Sequence, residues 1–257
     1  MSQQKVAIVT GGARNIGKTI SLRLAREGMR LAIVAPEADE VEATTTEFKR
    51  LNVACLPLVV DIRREDQVQS MAEAVRHTWG RIDLLVNNAG IIGPTAPVPQ
   101  VSLDDWSDVL AVNLTGAFLC AKHVLPVMTA QRSGKIVNIS SIAGKIGYAL
   151  RSPYAVSKWG LIGLTLTLAK EGGPHNIQVN AICPGPVEGE RMRRVMANRA
   201  RETGQSDAEV RQWYLQQMAL GRFVQAEDIA AMVAYLASPQ ADNITGQAID
   251  VTAGYGL

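Results

Sequence analysis

The 257-residue chain carries 26 basic and 24 acidic side chains, and 47% of its residues are hydrophobic against 19% charged. This balance is typical of a folded globular protein and argues against disorder. A net charge of +2 excludes a global attraction to nucleic acid or to a membrane surface. The length suits one large α/β domain better than two.

Cysteines and apolar runs narrow the class of protein further. Cys55, Cys120 and Cys183 lie far apart and form no C-x-x-C pair, so neither a metal site nor a disulfide framework is indicated. The apolar run that starts at Val6 ends at Thr10, which is too short for a secretory signal. No uninterrupted apolar stretch reaches membrane-spanning length. We therefore predict a cytoplasmic protein with no membrane, metal or nucleic-acid partner.

Short apolar runs alternate with longer helical patterns along the chain. Strands are predicted at residues 5–10, 30–35, 53–60, 82–86, 135–140, 178–182 and 248–251. Helices are predicted at residues 16–27, 38–51, 64–79, 103–128, 153–172 and 228–237. Continuously apolar runs such as 58–60 and 84–86 indicate strands that helices cover on both faces. This alternation predicts one α/β domain over residues 1–257, built on a seven-stranded parallel sheet.

Residues 188–221 are the exception to the short connections between the predicted strands and helices. They are helical in composition and highly charged, and they follow a late strand. An insertion at such a position commonly forms part of a binding site. We therefore predict a helical insertion there that borders the substrate.

The first predicted strand runs into a glycine-rich turn that a helix follows directly. Glycines let backbone N–H groups approach a pyrophosphate, and the helix N-terminus adds a favourable dipole. The turn resembles the T-G-x-x-x-G-x-G turn of the short-chain dehydrogenase/reductase family, with Asn15 in place of the middle glycine. Asparagine tolerates left-handed backbone angles, so we expect the turn to persist. The residues predicted to bind the cofactor here are Gly11, Arg14, Asn15, Ile16 and Gly17.

The second predicted strand bears on the choice of dinucleotide. It ends at Ala35 and Pro36, without the acid that binds the ribose 2′-hydroxyl in many NAD-dependent Rossmann enzymes. Arg14 stands where many NADP-dependent family members carry a basic residue, and it could pair with a 2′-phosphate. No base follows at Pro36, and Glu37 and Asp39 are close by, so NADP(H) is only slightly favoured over NAD(H). A solvated Arg14 is the alternative.

Three further segments resemble cofactor-binding signatures of the family. Asp61 and Ile62 match the pair that holds the adenine ring, although Asp61 could instead cap the next helix. The N-N-A-G run that follows the fourth strand would pass close to the cofactor ribose. It supplies Asn88, Ala89 and Gly90.

The third segment follows the sixth strand, at Pro184 and Gly185. In the family a threonine in a P-G-x-x-x-T pattern contacts the nicotinamide carboxamide, and this position is Gly189 here. We therefore expect the backbone of Val187, or another part of the loop, to make that contact.

Tyr154 and Lys158 stand four residues apart on a predicted helix, so both side chains share one face. Ser152 and Pro153 are predicted as the N-cap and the first helical residue. A free phenol has a pKa of about 10, and a neighbouring ammonium lowers it towards a useful range for proton exchange with an alcohol or carbonyl. The same spacing also occurs by chance on many helices.

Two further residues complete a resemblance that spans almost the whole chain. At the position of Ser141, family members carry a serine that hydrogen-bonds the substrate oxygen, while the neighbouring Ser140 would face away. At Asn113, the family has an asparagine that distorts a long helix and holds a water linking the lysine to solvent; a solvated surface asparagine is the alternative. Asn113, Ser141, Tyr154 and Lys158 thus match the family's catalytic set.

The resemblance implies a single-domain Rossmann fold with helices on both faces of a doubly wound sheet. It also implies an NAD(P)-dependent oxidoreductase that interconverts a secondary alcohol and a carbonyl by hydride transfer. Tyr154 and Lys158 would bind the cofactor as well as act in catalysis, because Lys158 would hold the nicotinamide ribose. A non-catalytic dinucleotide-binding regulator on the same fold is the alternative, since a fold does not determine a function.

The substrate is less defined. Residues 190–201 carry five arginines against one acid, Arg151 lies three residues before Tyr154, and Lys145 four after Ser141. Arginine suits forked pairing with carboxylate, sulfonate or phosphate, so we predict an anionic substrate such as a sugar acid, a hydroxy acid or an acyl carrier. The predicted substrate contacts are Ser141, Arg151, Tyr154 and Arg191. The alternative is a solvated helix face whose arginines pair with Glu202, Asp207 and Glu209.

The resemblance also implies a homotetramer, or a homodimer, that forms through two long helices. The helix after Tyr154 carries small residues at Ala155, Gly160, Gly163 and Thr167 that would permit close helix contact. Simple internal packing would produce the same pattern.

Overall fold

Seven parallel strands form one sheet, in a computed structural model that describes residues 4–257. The strands are β1 (Val6–Thr10), β2 (Arg30–Ala35), β3 (Cys55–Val59), β4 (Leu84–Asn87), β5 (Gly134–Ile139), β6 (Ile177–Pro184) and β7 (Ala248–Val251). Their order is β3-β2-β1-β4-β5-β6-β7. The order reverses between β1 and β4, which is where ligands of open α/β sheets bind. The predicted doubly wound, seven-stranded parallel sheet is confirmed.

Helices cover both faces of the sheet. They are α1 (Asn15–Arg26), α2 (Ala38–Arg50), α3 (Glu65–Trp79), α4 (Leu103–Leu110), α5 (Gly116–Gln131), α6 (Ser152–Gly172), α7 (Glu190–Thr203), α8 (Asp207–Gln216) and α9 (Ala226–Ala237). Successive side chains of a strand point to opposite faces. Val6 and Ile8 therefore pack with α3, α5 and α6, whereas Ala7 and Val9 pack with α1, α2 and α9.

The strand β3 lies at the edge of the sheet, which corrects one prediction. The apolar run at residues 58–60 indicated a strand covered on both faces, but Val59 is 55% exposed. Among the strands of residues 4–257, β3 pairs with β2 alone. The edge position also explains how Pro57 fits into β3, because a proline lacks the N–H that an inner strand would need.

One continuous helix runs from residue 103 to residue 131 and is apolar and long enough to cross a membrane by length and composition alone. An 18-residue window has a mean hydropathy of 1.4, and 44% of that window is buried inside the fold. The helix packs against α3, α6, β4 and β5. Its apolar side chains are therefore those of a helix that covers a sheet.

Residues 188–221 hold α7 and α8, between β6 and α9. The inner faces of these two helices form an apolar cluster of their own, in which Met192, Met196, Tyr214 and Met218 are buried. Tyr255, close to the C-terminus, joins the same cluster. This packing holds α7 beside the carboxyl ends of the strands.

Candidate active site

A cleft of about 490 Å³ opens where the strand order reverses, which is within the usual range for ligand sites. Its walls include every residue that the sequence predicts to bind cofactor or substrate, and Asn113 is buried behind them. These lining residues are Gly11, Arg14, Asn15, Ile16, Gly17, Asp61, Ile62, Asn88, Ala89, Gly90, Ser141, Arg151, Tyr154, Lys158, Pro184, Gly185, Val187 and Arg191. The fold therefore brings the predicted residues to one place.

The glycine turn forms a cradle at the N-terminus of α1. Gly11 and Asn15 have positive φ angles, +61° and +47°, so Asn15 does adopt the left-handed conformation predicted for it. A Cβ atom on Gly17 would lie 2.0 Å from the Gly11 carbonyl oxygen, so no side chain fits there. The Arg14 side chain forms no capping bond, which leaves the first amides of α1 open to an anion. This cradle fits a pyrophosphate.

The N-N-A-G run ties the glycine turn to β4. Asn88 Nδ2 donates to the carbonyl oxygens of Thr10 (2.9 Å) and Gly11 (3.2 Å). Thr10 Oγ1 accepts in return from the amides of Asn88 (3.0 Å) and Ala89 (3.1 Å). Asn87 Nδ2 donates to Asn138 Oδ1 (2.9 Å), which joins β4 to β5. These bonds hold the strand ends in register beside the cleft.

Arg14 is not a free cation at the far end of the cleft. Its Nη1 lies 2.6 Å from Glu40 Oε1, and its Nη2 lies 3.8 Å from Glu37 Oε1. Glu40 Oε2 is buried and has no hydrogen-bond partner within the described part of the chain. The prediction from sequence missed Glu40, although Glu37 and Glu40 are three residues apart at the start of α2 and therefore share a face. The Arg14 side chain is 56% exposed, as the alternative of a solvated arginine expects, but it also pairs with these two acids.

Asp61 also has a partner within the protein. Arg63 donates from Nε and Nη2 to the Asp61 carboxylate, and its Nη1 donates to Asp108. The hydrogen bond from Arg63 lowers the pKa of Asp61 and outweighs the opposing effect of burial. The idea that Asp61 caps the next helix is wrong, because the N-cap of α3 is Arg64.

Tyr154, Lys158 and Ser141 meet at the other end of the cleft. Lys158 Nζ lies 5.7 Å from the centroid of the Tyr154 ring and donates to the Ile139 carbonyl (2.8 Å). The Ser141 hydroxyl accepts from the Ala143 amide (3.1 Å) and is close enough to Tyr154 to lower the pKa of its phenol. Ser140 faces away and donates instead to the Lys158 carbonyl (2.9 Å). The geometry thus brings a phenol, a hydroxyl and an ammonium around one reacting position.

Burial and the neighbouring charges shift the pKa of Tyr154 and that of Lys158. Burial raises the pKa of Tyr154, but the positive charges of Lys158, Arg191 and Arg151 and the nearby Ser141 together bring it below the usual value. Burial lowers the pKa of Lys158, and Arg191 adds to this effect, while Tyr154 opposes it. A phenol with a lowered pKa next to a cation is suited to give up and regain a proton.

Asn113 lies in a π-helical turn at residues 111–115, between α4 and α5. It is 1% exposed, so the alternative of a solvated surface asparagine is wrong. Its Oδ1 accepts from the Ile91 amide (2.8 Å), and its Nδ2 donates to the Ile91 carbonyl and to Ser157 Oγ, each at 3.1 Å. The distorted turn thus anchors the loop after β4 to the helix that carries Tyr154.

Two arginines flank the Tyr154 ring. The guanidinium carbon of Arg151 lies 5.1 Å from the ring centroid, and that of Arg191 lies 5.9 Å from it. Arg151 Nη2 donates to the Ile92 carbonyl (2.7 Å), and Arg191 Nη1 to the Gly90 carbonyl (3.1 Å). Arg151 is also the N-cap of α6, so the predicted Ser152 cap is wrong: the helix begins one residue earlier, with Ser152 already inside it.

The remaining cations lie elsewhere. Arg193 and Arg194 are exposed, and the Arg199 guanidinium lies 4.4 Å from the Trp213 ring centroid. Lys145 is engaged by Asp250 at 2.6 Å. Within residues 4–257, none of the five arginines of α7 forms an ion pair with Glu202, Asp207 or Glu209 (Arg191, Arg193, Arg194, Arg199 and Arg201). The alternative in which these arginines pair with the three nearby acids is therefore wrong.

The loop after β6 presents a backbone group to the cleft. Pro186 accepts from the Val224 amide (3.0 Å), and Glu188 donates to the Val224 carbonyl (2.8 Å). In a parallel ladder the residue between such neighbours turns its own N–H and C=O to the other side. Val187 therefore has peptide groups available on the cleft side.

Known proteins are similar in sequence to this chain over almost its full length. A family model described as enoyl-(acyl carrier protein) reductase matches residues 11–256. The uncharacterized oxidoreductase YxjF of Bacillus subtilis is 36% identical over 256 residues, which cover 98% of each chain. The 3-oxoacyl-[acyl-carrier-protein] reductase FabG of Thermotoga maritima is 37% identical over 250 residues, 97% of each chain.

Solved structures share the fold as closely. An actinorhodin polyketide ketoreductase with NADPH superimposes with a TM-score of 0.95 at 35% identity, over 100% of this chain and 98% of that one. A NAD⁺-bound xylitol dehydrogenase also gives 0.95, at 33% identity, over 99% of this chain and 100% of that one.

Proposed function

The chain belongs to the short-chain dehydrogenase/reductase family and is an NAD(P)-dependent oxidoreductase of alcohols and carbonyls, and we propose that Ser141, Tyr154 and Lys158 carry out its proton chemistry. When bound, the dinucleotide supplies or accepts the hydride. In reduction, a hydride adds to the carbonyl carbon, and Tyr154 Oη donates a proton to the carbonyl oxygen. Oxidation of the alcohol reverses both transfers.

Each side chain has a separate task in this scheme. Ser141 orients the substrate oxygen, since its side chain lines the cleft beside Tyr154. Lys158 stabilises the phenolate by its charge and would hold the nicotinamide ribose. Asn113 acts through others, because it fixes the Ile91 backbone and Ser157 on the Tyr154 helix.

The observation that carries this proposal is the position of Lys158 Nζ, 5.7 Å from the centroid of the Tyr154 ring in the same cleft. The positive charges around the ring and the nearby Ser141 lower the pKa of the phenol, which supports the same role. Substitution of Tyr154 by Phe is expected to lower kcat by about 10²- to 10⁴-fold, the usual contribution of a general acid. Titration of NAD(P)H fluorescence is expected to give nearly the same cofactor Kd. Tyr148→Phe is the matched control, because Tyr148 lines the same cleft but bonds to Tyr214.

Full activity in Tyr154→Phe would contradict the assigned proton transfer. Tight dinucleotide binding with no turnover of any carbonyl or alcohol by the unaltered protein would instead favour a regulator.

We propose a small preference for NADP(H) over NAD(H). Arg14 can pair with a 2′-phosphate, but it must first leave Glu40, whose carboxylate then repels that phosphate. The unpartnered Glu40 Oε2 is meanwhile an acceptor for the 2′-hydroxyl of NAD(H). These opposing effects argue for an enzyme that accepts both cofactors. We assign adenine contact to Asp61 and Ile62, and carboxamide contact to Val187.

We further propose an anionic substrate. Arg151 and Arg191 place two positive charges beside Tyr154 without an acidic partner among the described residues. Sugar acids, hydroxy acids and acyl carriers are the candidate classes, the last because the Thermotoga maritima relative is named for one. α7, which carries Arg191, borders this end of the cleft and is the wall that would change with the substrate.

We propose a cytoplasmic homotetramer or homodimer. Val156, Trp159 and Leu166 are 44%, 52% and 50% exposed on one face of α6. Gly163 lies on the same face, and a Cβ atom there would meet nothing within 4 Å. Gly160 instead packs internally against Leu114. The exposed apolar stripe on α6 is the surface that would join the copies.

A further inference from the structure

Arg151 is a buried cation whose hydrogen bonds are incomplete. The residue is 4% exposed and lines the cleft, yet its Nε and Nη1 atoms have no hydrogen-bond partner among residues 4–257. No acidic side chain in the described part of the chain forms an ion pair with it. A guanidinium buried in this way is costly unless an anion satisfies it. Its open donors are therefore suited to an anionic group of a ligand.

The open donors define the shape of that group. Arg151 Nη2 uses one hydrogen on the Ile92 carbonyl. The second N–H bond of Nη2 is parallel either to the Nε–H bond or to one N–H bond of Nη1, because the guanidinium is planar. Either way, one pair of parallel donors remains. Such a pair matches the two oxygens of a carboxylate.

The position of Arg151 limits how far the anion lies from the reacting carbon. The guanidinium carbon is 5.1 Å from the Tyr154 ring centroid, and the substrate oxygen must be within hydrogen-bond distance of Tyr154 Oη. A carboxylate on Arg151 is then only a few bonds from the carbonyl. Arg191, at 5.9 Å from the same ring, adds a second positive charge.

We propose that Arg151 binds the carboxylate of a short hydroxy acid or oxo acid whose alcohol or carbonyl lies one to three carbons away. This inference rests on the proposed oxidoreductase function and narrows its substrate class. It disfavours an acyl carrier, because a thioester is uncharged where the buried guanidinium needs an anion. The reaction is the balanced transfer given above: the oxo acid gains a hydride at carbon and a proton at oxygen, and NAD(P)H becomes NAD(P)⁺.

The test compares oxo acids with their uncharged methyl esters, which are of similar size. Reduction of 2-oxobutanoate, 3-oxobutanoate and 4-oxopentanoate is measured beside the methyl ester of each, and beside the N-acetylcysteamine thioester of 3-oxobutanoate. The unaltered enzyme is expected to prefer at least one acid over its ester in kcat/KM. In Arg151→Met that acid-to-ester ratio is expected to fall by about 100-fold or more, the scale for loss of one buried charged partner. Arg199→Met is the control, because Arg199 also stacks on an aromatic ring but lies outside the cleft.

A second readout needs no turnover. The acid that is preferred, or its hydroxy form, is expected to raise the melting temperature of the cofactor complex, and Arg151→Met is expected to lose that rise. Without ligand, Arg151→Met is expected to melt no lower than the unaltered protein, since it removes an unpaired buried charge.

Three results overturn the inference: preference for the ester or the thioester, an unchanged acid-to-ester ratio in Arg151→Met, or an equal loss for acid and ester with a shifted pH profile. The last would mean that Arg151 acts only through Tyr154. Failure to reduce any carbonyl with either cofactor would overturn the proposed function instead, and the melting data would still decide whether Arg151 binds the acid.

Discussion

Glu40→Gln is expected to turn a nearly balanced cofactor choice into a clear preference for NADPH. Glu40 Oε1 lies 2.6 Å from Arg14 Nη1, and among the described residues its buried Oε2 has no partner. Glu40 therefore keeps the Arg14 guanidinium in an ion pair and also places a negative charge at the adenosine end of the cleft. Glutamine keeps the size of the side chain and removes the charge. Arg14 is then released towards a 2′-phosphate.

The magnitude follows from two effects. The side chains of Arg14 and Glu40 are 56% and 32% exposed, so breaking their ion pair costs only about 0.2–1 kcal/mol. A unit charge roughly 6 Å from a phosphate of about −1.5 charge, in water, contributes ~1 kcal/mol of repulsion. Removal of both effects is expected to tighten NADPH binding by about 8- to 30-fold. NADH is expected to bind slightly more weakly, because its 2′-hydroxyl loses a charged acceptor.

Titration of NADPH and NADH fluorescence with the purified variants measures both dissociation constants. Glu47→Gln is the matched control, since Glu47 is on the same helix and pairs with Lys18 in the same manner outside the cleft. An unchanged NADPH-to-NADH ratio in Glu40→Gln, or an equal change in Glu47→Gln, would refute the reasoning.

Three further predictions test the turn, the proton transfer and the assembly. In alcohol oxidation, kcat/KM is expected to rise with pH and level off once Tyr154 is ionised, with a midpoint below its usual pKa of 10.0, and in carbonyl reduction it is expected to fall through the same midpoint. A midpoint above that value in the pH–rate profile would contradict the charge argument. Gly17→Ala is expected to abolish dinucleotide binding in fluorescence titration and to lower the unfolding free energy by about 1–3 kcal/mol, because its Cβ would collide with the Gly11 carbonyl. Gly173→Ala, which has open space around its Cβ, should leave both unchanged. Trp159→Asp is expected to reduce the mass found by light scattering from that of an oligomer to that of a smaller species, whereas a monomeric unaltered protein would remove the basis for the proposed interface.

Local signals in the chain were enough to predict most of the fold. Periodicity and glycine turns act between near neighbours, so the seven strands and the flanking helices lie close to their predicted positions. β3 is the exception, because an apolar run does not reveal whether a strand is central or at an edge. The left-handed Asn15 and the π-helical turn at Asn113 were predictable from the resemblance of single positions to the family.

The residues that line the cleft were likewise predictable from motifs, because each motif lies at the carboxyl end of a strand and parallel strands bring those ends together. Tyr154 and Lys158 meet because they are one helical turn apart. Sequence alone therefore determined the fold, the family and which side chains meet in the cleft.

Only the tertiary structure decided which charged side chains of the cleft have a partner in the protein and which stay open to a ligand. Arg14 pairs with an acid 26 residues away on α2, and the one hydrogen bond of the Arg151 guanidinium within the described residues goes to a carbonyl 59 residues away. Neither could be inferred from spacing, because a long flexible side chain can reach several partners and packing selects among them. A charge engaged by an acid and a charge left open to a ligand look identical in sequence, and they differ only in what the fold places beside them.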